Sequence, residues 1–354
     1  MRIKIHNLII IMLAIKLFVF TFFVVGNYNY NYIVENSDYE SSKMINGLSG
    51  DSRFYYHLYE RYDGSIESFI KYFFVNKNLI PIITLQSIFK NNLYVIYFFY
   101  FISFLYAIYS ITIKLNKNKI IFILIIFSYP VIIGCFFGIN KEIVSFISVL
   151  FLLAYLLNKK NIFILYIVIF AFLSRFEMLL VVILFLVLKK YNYNRKFILS
   201  ALLFLASFLI YSIDYSDTGN LLEKGARENS LGLMKFIDQL NSHGFYIFTF
   251  FVKVPINLFS MVIVPNFSSI SGFSLTLSSY FFLILSIIII KKRLFKIQND
   301  IIYFILIYLI IFNIPSFVQH RYSICLYPLL VYLCFNYSKS IKHNNRIITQ
   351  VFLP

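Results

Sequence analysis

The chain has 354 residues, 60% of them hydrophobic and 13% charged, with a mean hydropathy of +0.80 and a net charge of +17. That composition excludes a soluble globular domain and predicts an all-α, polytopic membrane protein built as one integral domain over residues 1–354. The positive charge is spread between apolar runs instead of forming one patch, which argues against a nucleic-acid partner.

The first apolar stretch, about residues 8–26, follows a basic start and lacks a small-residue cleavage site, so it reads as a retained helix. Lys16 lies within it and is expected to snorkel toward the basic side. An outer loop follows to about residue 77, then a short or interfacial segment near 78–90 and a helix over about 92–113. Two helical hairpins come next, turning at FGINKE (Phe137 to Glu142) and at SRFE (Ser174 to Glu177). The arms of the second, about 13 and 11 residues, fall short of the roughly 20 that a span requires, so its tip is expected inside the membrane. A helix near 197–213 leads into a second outer loop, about 214–245, and helices near 274–290, 300–316 and 322–336 bring the total to about ten spans. Residues 245–273 break the parity of that count and read as interfacial, re-entrant or a pair of short helices.

Orientation comes from the basic residues. Clusters at Arg2/Lys4, Lys114 to Lys119, Lys159/Lys160, Lys189 to Lys196, Lys291 to Lys296 and the tail from Lys339 hold more than half of the 32 Lys and Arg. Only Asp300 among the acids lies near them, so the positive-inside rule sets these clusters and both termini in the cytoplasm.

Charges at membrane depth then gather in the outer half: Lys141, Glu142, Arg175, Glu177, Lys253, His320 and Arg321. Ionisable groups there are costly unless they face one another or a cavity. Two readings stand: a functional cluster, or Lys141/Glu142 and Arg175/Glu177 as paired caps of helix ends. The first outer loop adds Asp51, Arg53, His57 and many tyrosines, and the second adds Arg227. Aromatic faces suit sugar rings and arginine forks suit phosphate oxygens, while the plainer reading is solvated surface with an interfacial aromatic belt. Cys135, Cys325 and Cys334 read as packing residues. No nucleotide, dinucleotide or metal motif occurs, so neither a cofactor nor a metal is expected. An outward charged layer without such a motif fits a substrate that carries its own activation energy, as polyprenyl-linked sugars do.

The stretch LSGDSRFYYHLYERYDG, followed by IPIITLQSIFKNNLYVIYFFYFISF, resembles the start of bacterial surface-polysaccharide polymerases of the Wzy and EpsG type. It is also similar to the first outer loop of GT-C glycosyltransferases. The segments FGINKEIVSFISVLFLLAYLLNKK, FLSRFEMLLVVILFL and PSFVQHRYSICLYPLL are similar to the charged hairpins and terminal arginine of both groups. The resemblance implies an enzyme that polymerises repeat units of O-antigen (lipopolysaccharide) or capsule at the outer face of the bacterial inner membrane. A hydroxyl of one repeat attacks the anomeric carbon of a glycan on undecaprenyl diphosphate, which departs as a diphosphate. By resemblance Asp51 is the base, with His57 and His320 behind it. Arg175, Arg321 and Lys141 meet the diphosphate, Arg227 and Lys253 second them, and Arg53, Glu142 and Glu177 complete the substrate site. Undecaprenyl-linked oligosaccharides are the implied partners, with a chain-length regulator as a further one. Two alternatives stay open: a GT-C transferase using a polyprenyl-phosphate sugar, in which Asp51 is indispensable, and a flippase of lipid-linked oligosaccharide. Against the flippase stand the lack of an internal repeat and the one-sided charges.

Overall fold

The structure is a computed structural model, and the residues it describes are 5–26, 30, 33, 49–68, 70, 79–115, 118–129, 136–190, 194–212, 240, 243, 245–263, 265, 267, 270–313 and 320–335. Every element among them is helical, as the composition predicts.

The long apolar runs form helices whose ends are set by single polar residues. Helix α1 (Ile5–Val19) continues through a wider π-turn (Phe20–Val25). The aromatic stretch of the first outer loop forms α2 (Ser49–Glu60). Helix α3 (Ile80–Phe89) starts on Pro81, whose missing N–H costs nothing in a first turn, and stops at left-handed Lys90. Helix α4 (Leu93–Lys114) is capped by Asn92, whose side chain accepts from the backbone N–H groups of Tyr94 and Val95. Helix α5 (Lys119–Phe127) leads toward the turn at Phe136–Asn140, and Asn140 caps α6 (Lys141–Asn158) by accepting from the N–H of Glu142.

Helices α7 (Ile162–Ser174) and α8 (Phe176–Lys190) are separated by Arg175 alone, whose backbone is extended at φ −159° and ψ 148°. The break loses little, because the Arg175 N–H still donates to Ala171 and its carbonyl still accepts from Leu179. Helix α8 has 15 residues where about 11 are expected, since it extends through Lys189 and Lys190. At 13 residues α7 spans only about 20 Å, so Arg175 lies short of the depth of a full span.

Helix α9 (Arg195–Ser212), α10 (Tyr246–Ile263), α11 (Ile270–Lys291) and α12 (Asp300–Phe312) follow. The expected helix near 322–336 begins instead as a 3-10 turn (His320–Leu326) and becomes α-helical over 327–335. Pro328 sits at that change, where an α-helix tolerates a residue without an N–H.

Helix α6 is the centre. It packs between α4 and α7 and against the 3-10 turn; α7 meets α8 and α3, α8 meets α12, and α9 meets α10 and α12. Of the apolar window of α6, 83% is buried, against 33% for α11, which therefore lies at the edge. The short segment expected near 78–90 is α3, whose Ile80, Ile82, Ile83 and Leu85 are buried against the helical body. Helices α4, α6 and α11 are long and apolar enough to cross a membrane, and other apolar helices are shorter. Large apolar side chains such as Phe204, Phe248 and Phe251 point outward, as lipid contact requires, and associate the protein with a membrane.

The segment that broke the parity forms α10, which is tied to both α12 and α11. Tyr246 at the start of α10 donates to the carbonyl of Ile310, near the end of α12. Leu258 then accepts from Ser279, well inside α11, and the Phe259 ring lies 6.5 Å from that of Phe282. Phe267, by contrast, lies 6.2 Å from Phe273, near the start of α11. Helix α10 thus lies along α11 and departs from helical geometry at Phe259 after Pro255.

Candidate functional site

Both hairpin tips and α2 converge at the end of α6. The Arg175 guanidinium donates to the Glu142 carboxylate at 2.9 Å, with the two side chains 14% and 4% exposed. This ion pair joins the two tips, whereas the capping reading had each acid serving the base of its own tip. Tyr308 of α12 and Cys325 of the 3-10 turn are buried close enough to feel the charges of Arg175 and Glu142.

Lys141, the neighbour of Glu142, places its ammonium 4.7 Å from the centre of the Tyr55 ring on α2. Sandwiched between helix start and aromatic face, it is 6% exposed. Helix α2 is fastened over this point by three further bonds. Ser52 donates to the carbonyl of Ile139 at 3.1 Å, Gln86 of α3 donates to the carbonyl of Tyr55 at 2.8 Å, and Asn91 donates to that of Tyr56 at 3.4 Å. Gly138 makes the approach feasible: its φ is +132°, and a Cβ there would stand 2.7 Å from the Ser52 hydroxyl. Arg53, the next residue along α2, is buried at 5% exposure.

Lys253 of α10 is fully buried, 5.9 Å from the centre of the Tyr246 ring. Its helix packs on the 3-10 turn His320–Leu326, which in turn packs on α6.

The predicted site residues are thus only partly assembled. Lys141, Glu142 and Arg175 come together under α2, with Arg53 on the same helix. Glu177 begins α8, two residues beyond Arg175. His57, further along α2, is engaged with Glu60 of its own helix at 2.8 Å. Asp51 belongs to α2, and His320 and Arg321 to the 3-10 turn, but their side chains lie outside what is described; Arg227 lies wholly outside the described residues. Sequence reasoning passed over Tyr55, Ser52, Gly138, Gln86 and Tyr308. Of these only Gly138 carried a local signal, as the glycine in a short turn between apolar runs.

Among the described residues no group of His, Cys, Asp and Glu forms a metal site. Cations beneath an aromatic helix provide places for phosphate oxygens and for the face of a sugar ring.

The fold and site together define an all-helical, membrane-associated protein with a buried ionic cluster under a polar, aromatic helix. Comparison with known protein families, curated proteins and solved structures yields no match to this chain.

Proposed function

We propose that the chain polymerises undecaprenyl-diphosphate-linked repeat units of a bacterial surface polysaccharide at the outer face of the inner membrane. In this reading it crosses the membrane about ten times with both termini cytoplasmic, and the re-entrant α10 segment restores the parity that the charge clusters demand. The observation that carries the proposal is the Arg175–Glu142 ion pair beside Lys141, covered by the tyrosine-bearing α2. Arg175 and Lys141 supply positive charge where the departing diphosphate becomes negative, Glu142 keeps the Arg175 fork aimed, and Tyr55 and its neighbours offer faces to sugar rings. Lys253 adds a buried cation on α10, the helix that packs on the 3-10 turn.

A second reading, a GT-C transferase with Asp51 as base, draws on the fastening of α2 directly over the Lys141 turn through Ser52. Deletion of the gene and electrophoresis of the surface polysaccharide separates the two. Collapse of the ladder to a single repeat unit supports the polymerase; a ladder that persists with a lighter repeat supports the transferase; an unchanged polysaccharide overturns both. Complementation by Arg175→Lys tests the fork, since full restoration of the ladder excludes a bidentate role.

A further inference from the structure

Helix α1 carries a charge on its outward face. Met12, Ile15, Lys16, Val19, Phe20 and Phe23 recur at spacings of three and four and are all exposed, while Leu17 and Thr21 on the other side are buried. Five of these six residues are apolar, as a lipid-facing stripe should be, and the sixth is a lysine.

Its depth follows from α4. Thr21 Oγ1 lies 2.8 Å from the Tyr97 hydroxyl, and the Phe18 ring lies 5.6 Å from that of Phe101, so the two helices run antiparallel and in register. From Phe101 to the basic end of α4 at Lys114 is about 20 Å at the helical rise. Lys16 precedes Phe18 by two residues and so sits about 17 Å from that end, near the middle of an apolar core about 30 Å thick. Counting along α1 from Ile5 gives about the same distance. A four-carbon stem does not bring its ammonium to the basic edge from there, so the snorkelling expected from the sequence falls short. An ammonium at mid-depth on a lipid-facing surface is costly unless an acidic group meets it.

We infer that this face of α1 is a docking surface for a membrane-spanning helix of another protein that carries an Asp or Glu at mid-depth. Among the described residues a second copy of the chain offers no exposed acid to this face. Pairing two α1 faces sets Lys16 against Lys16, and among the described residues no acidic side chain at that depth is exposed. Glu142 is buried, Glu177 at its hairpin tip and Asp300 at the basic end are half-buried, and Glu60, Asp63 and Glu67 are exposed on and just beyond α2. The inference is independent of the chemistry at the Arg175–Glu142 site.

The test is photo-crosslinking from position 15 of the full-length chain in its native membrane. The expected result is an adduct with one protein whose membrane helix bears an acid, weakened about tenfold by Lys16→Leu and retained by Lys16→Arg, as a buried interhelical polar contact predicts. Lys16→Leu adds an apolar residue to an apolar face and should accumulate normally, which gel filtration in mild detergent checks; Lys16→Gln serves as a second neutral variant. Lipid adducts alone, an adduct of twice the chain's mass, or a protein adduct indifferent to Lys16→Leu would each overturn the inference.

Discussion

Arg175 and Glu142, 33 residues apart, meet at 2.9 Å where two separate helix breaks touch. Neither break would hold a charge at that depth by itself, because a lone ion in an apolar interior costs several kcal/mol. Removing one partner should therefore be worse than removing both. Glu142→Ala is expected to destabilise the protein by about 3–5 kcal/mol, whereas Glu142→Leu with Arg175→Met should recover most of that loss. Equilibrium unfolding of the two singles and the double in mixed micelles gives the coupling, and strict additivity would show that the pair is not an energetic unit.

Gly138 is the hinge of the approach between α2 and α6. Gly138→Ala forces a Cβ to within 2.7 Å of the Ser52 hydroxyl and imposes a φ of +132° that alanine avoids. The expected cost is about 1–3 kcal/mol, with α2 becoming the first segment cut in limited proteolysis. Adding Ser52→Gly should relieve the contact and leave the backbone strain, so rescue should be partial. Complete rescue would mean that the strain term is absent.

Much of this was legible in the residues. Asn92, Asn140 and Asn299 stand at most two charged residues ahead of apolar runs and cap the helices that follow, and the turns at FGINKE and SRFE lie where their polar residues interrupt long apolar stretches. What was not legible is which turn faces which. Helix α6 is apolar nearly all round, so its pattern does not say that α4 takes one side, α7 another and the 3-10 turn a third. For the same reason α3 read only as a short or interfacial segment, since ten apolar residues look alike whether they meet lipid or protein. The contact of Lys141 with Tyr55 depends on how α2 is fastened by Ser52 and Gln86, and no local pattern encodes that.

A second ionic group, at the basic end of the bundle, makes a pH prediction. Asp300, just ahead of the apolar run of α12, accepts from Arg195 at 2.7 Å and pairs with Lys189 at 3.0 Å. Burial raises its carboxyl pKa, but the hydrogen bonds and charges of Arg195 and Lys189 outweigh this and hold it below its ordinary value of 3.8. Burial, together with the neighbouring Lys159, pushes the Lys189 pKa down despite the lift from Asp300, and Arg195 also donates to the carbonyls of Ile297 and Gln298. A depressed carboxyl contributes stability that is present above pH 3.8 and lost as pH falls through the lower folded value. The wild type should therefore lose stability on acidification below pH 3.8, and Asp300→Asn should lack that component of the acid dependence while being less stable at neutral pH. Unfolding measured at pH 6 and pH 3 on both proteins decides it, and parallel losses would remove Asp300 as the cause.

Lys253 separates a structural charge from a working one by the sign of two effects. It is fully buried on α10, against the Tyr246 ring and on the helix that packs on the 3-10 turn. Methionine keeps an unbranched stem of similar length and removes the ammonium, whose burial away from water is costly. If Lys253 serves the diphosphate, Lys253→Met should leave the melting temperature unchanged or raised while polymer formation collapses by about a hundredfold or more, as for the loss of one group that stabilises developing charge. If it only holds α10 in place, the same variant should lower the melting temperature and reduce polymer only as far as folded protein is lost. Lys253→Arg sharpens the contrast, because it keeps a positive charge and strains the site: activity retained despite a lowered melting temperature would assign the charge to the reaction.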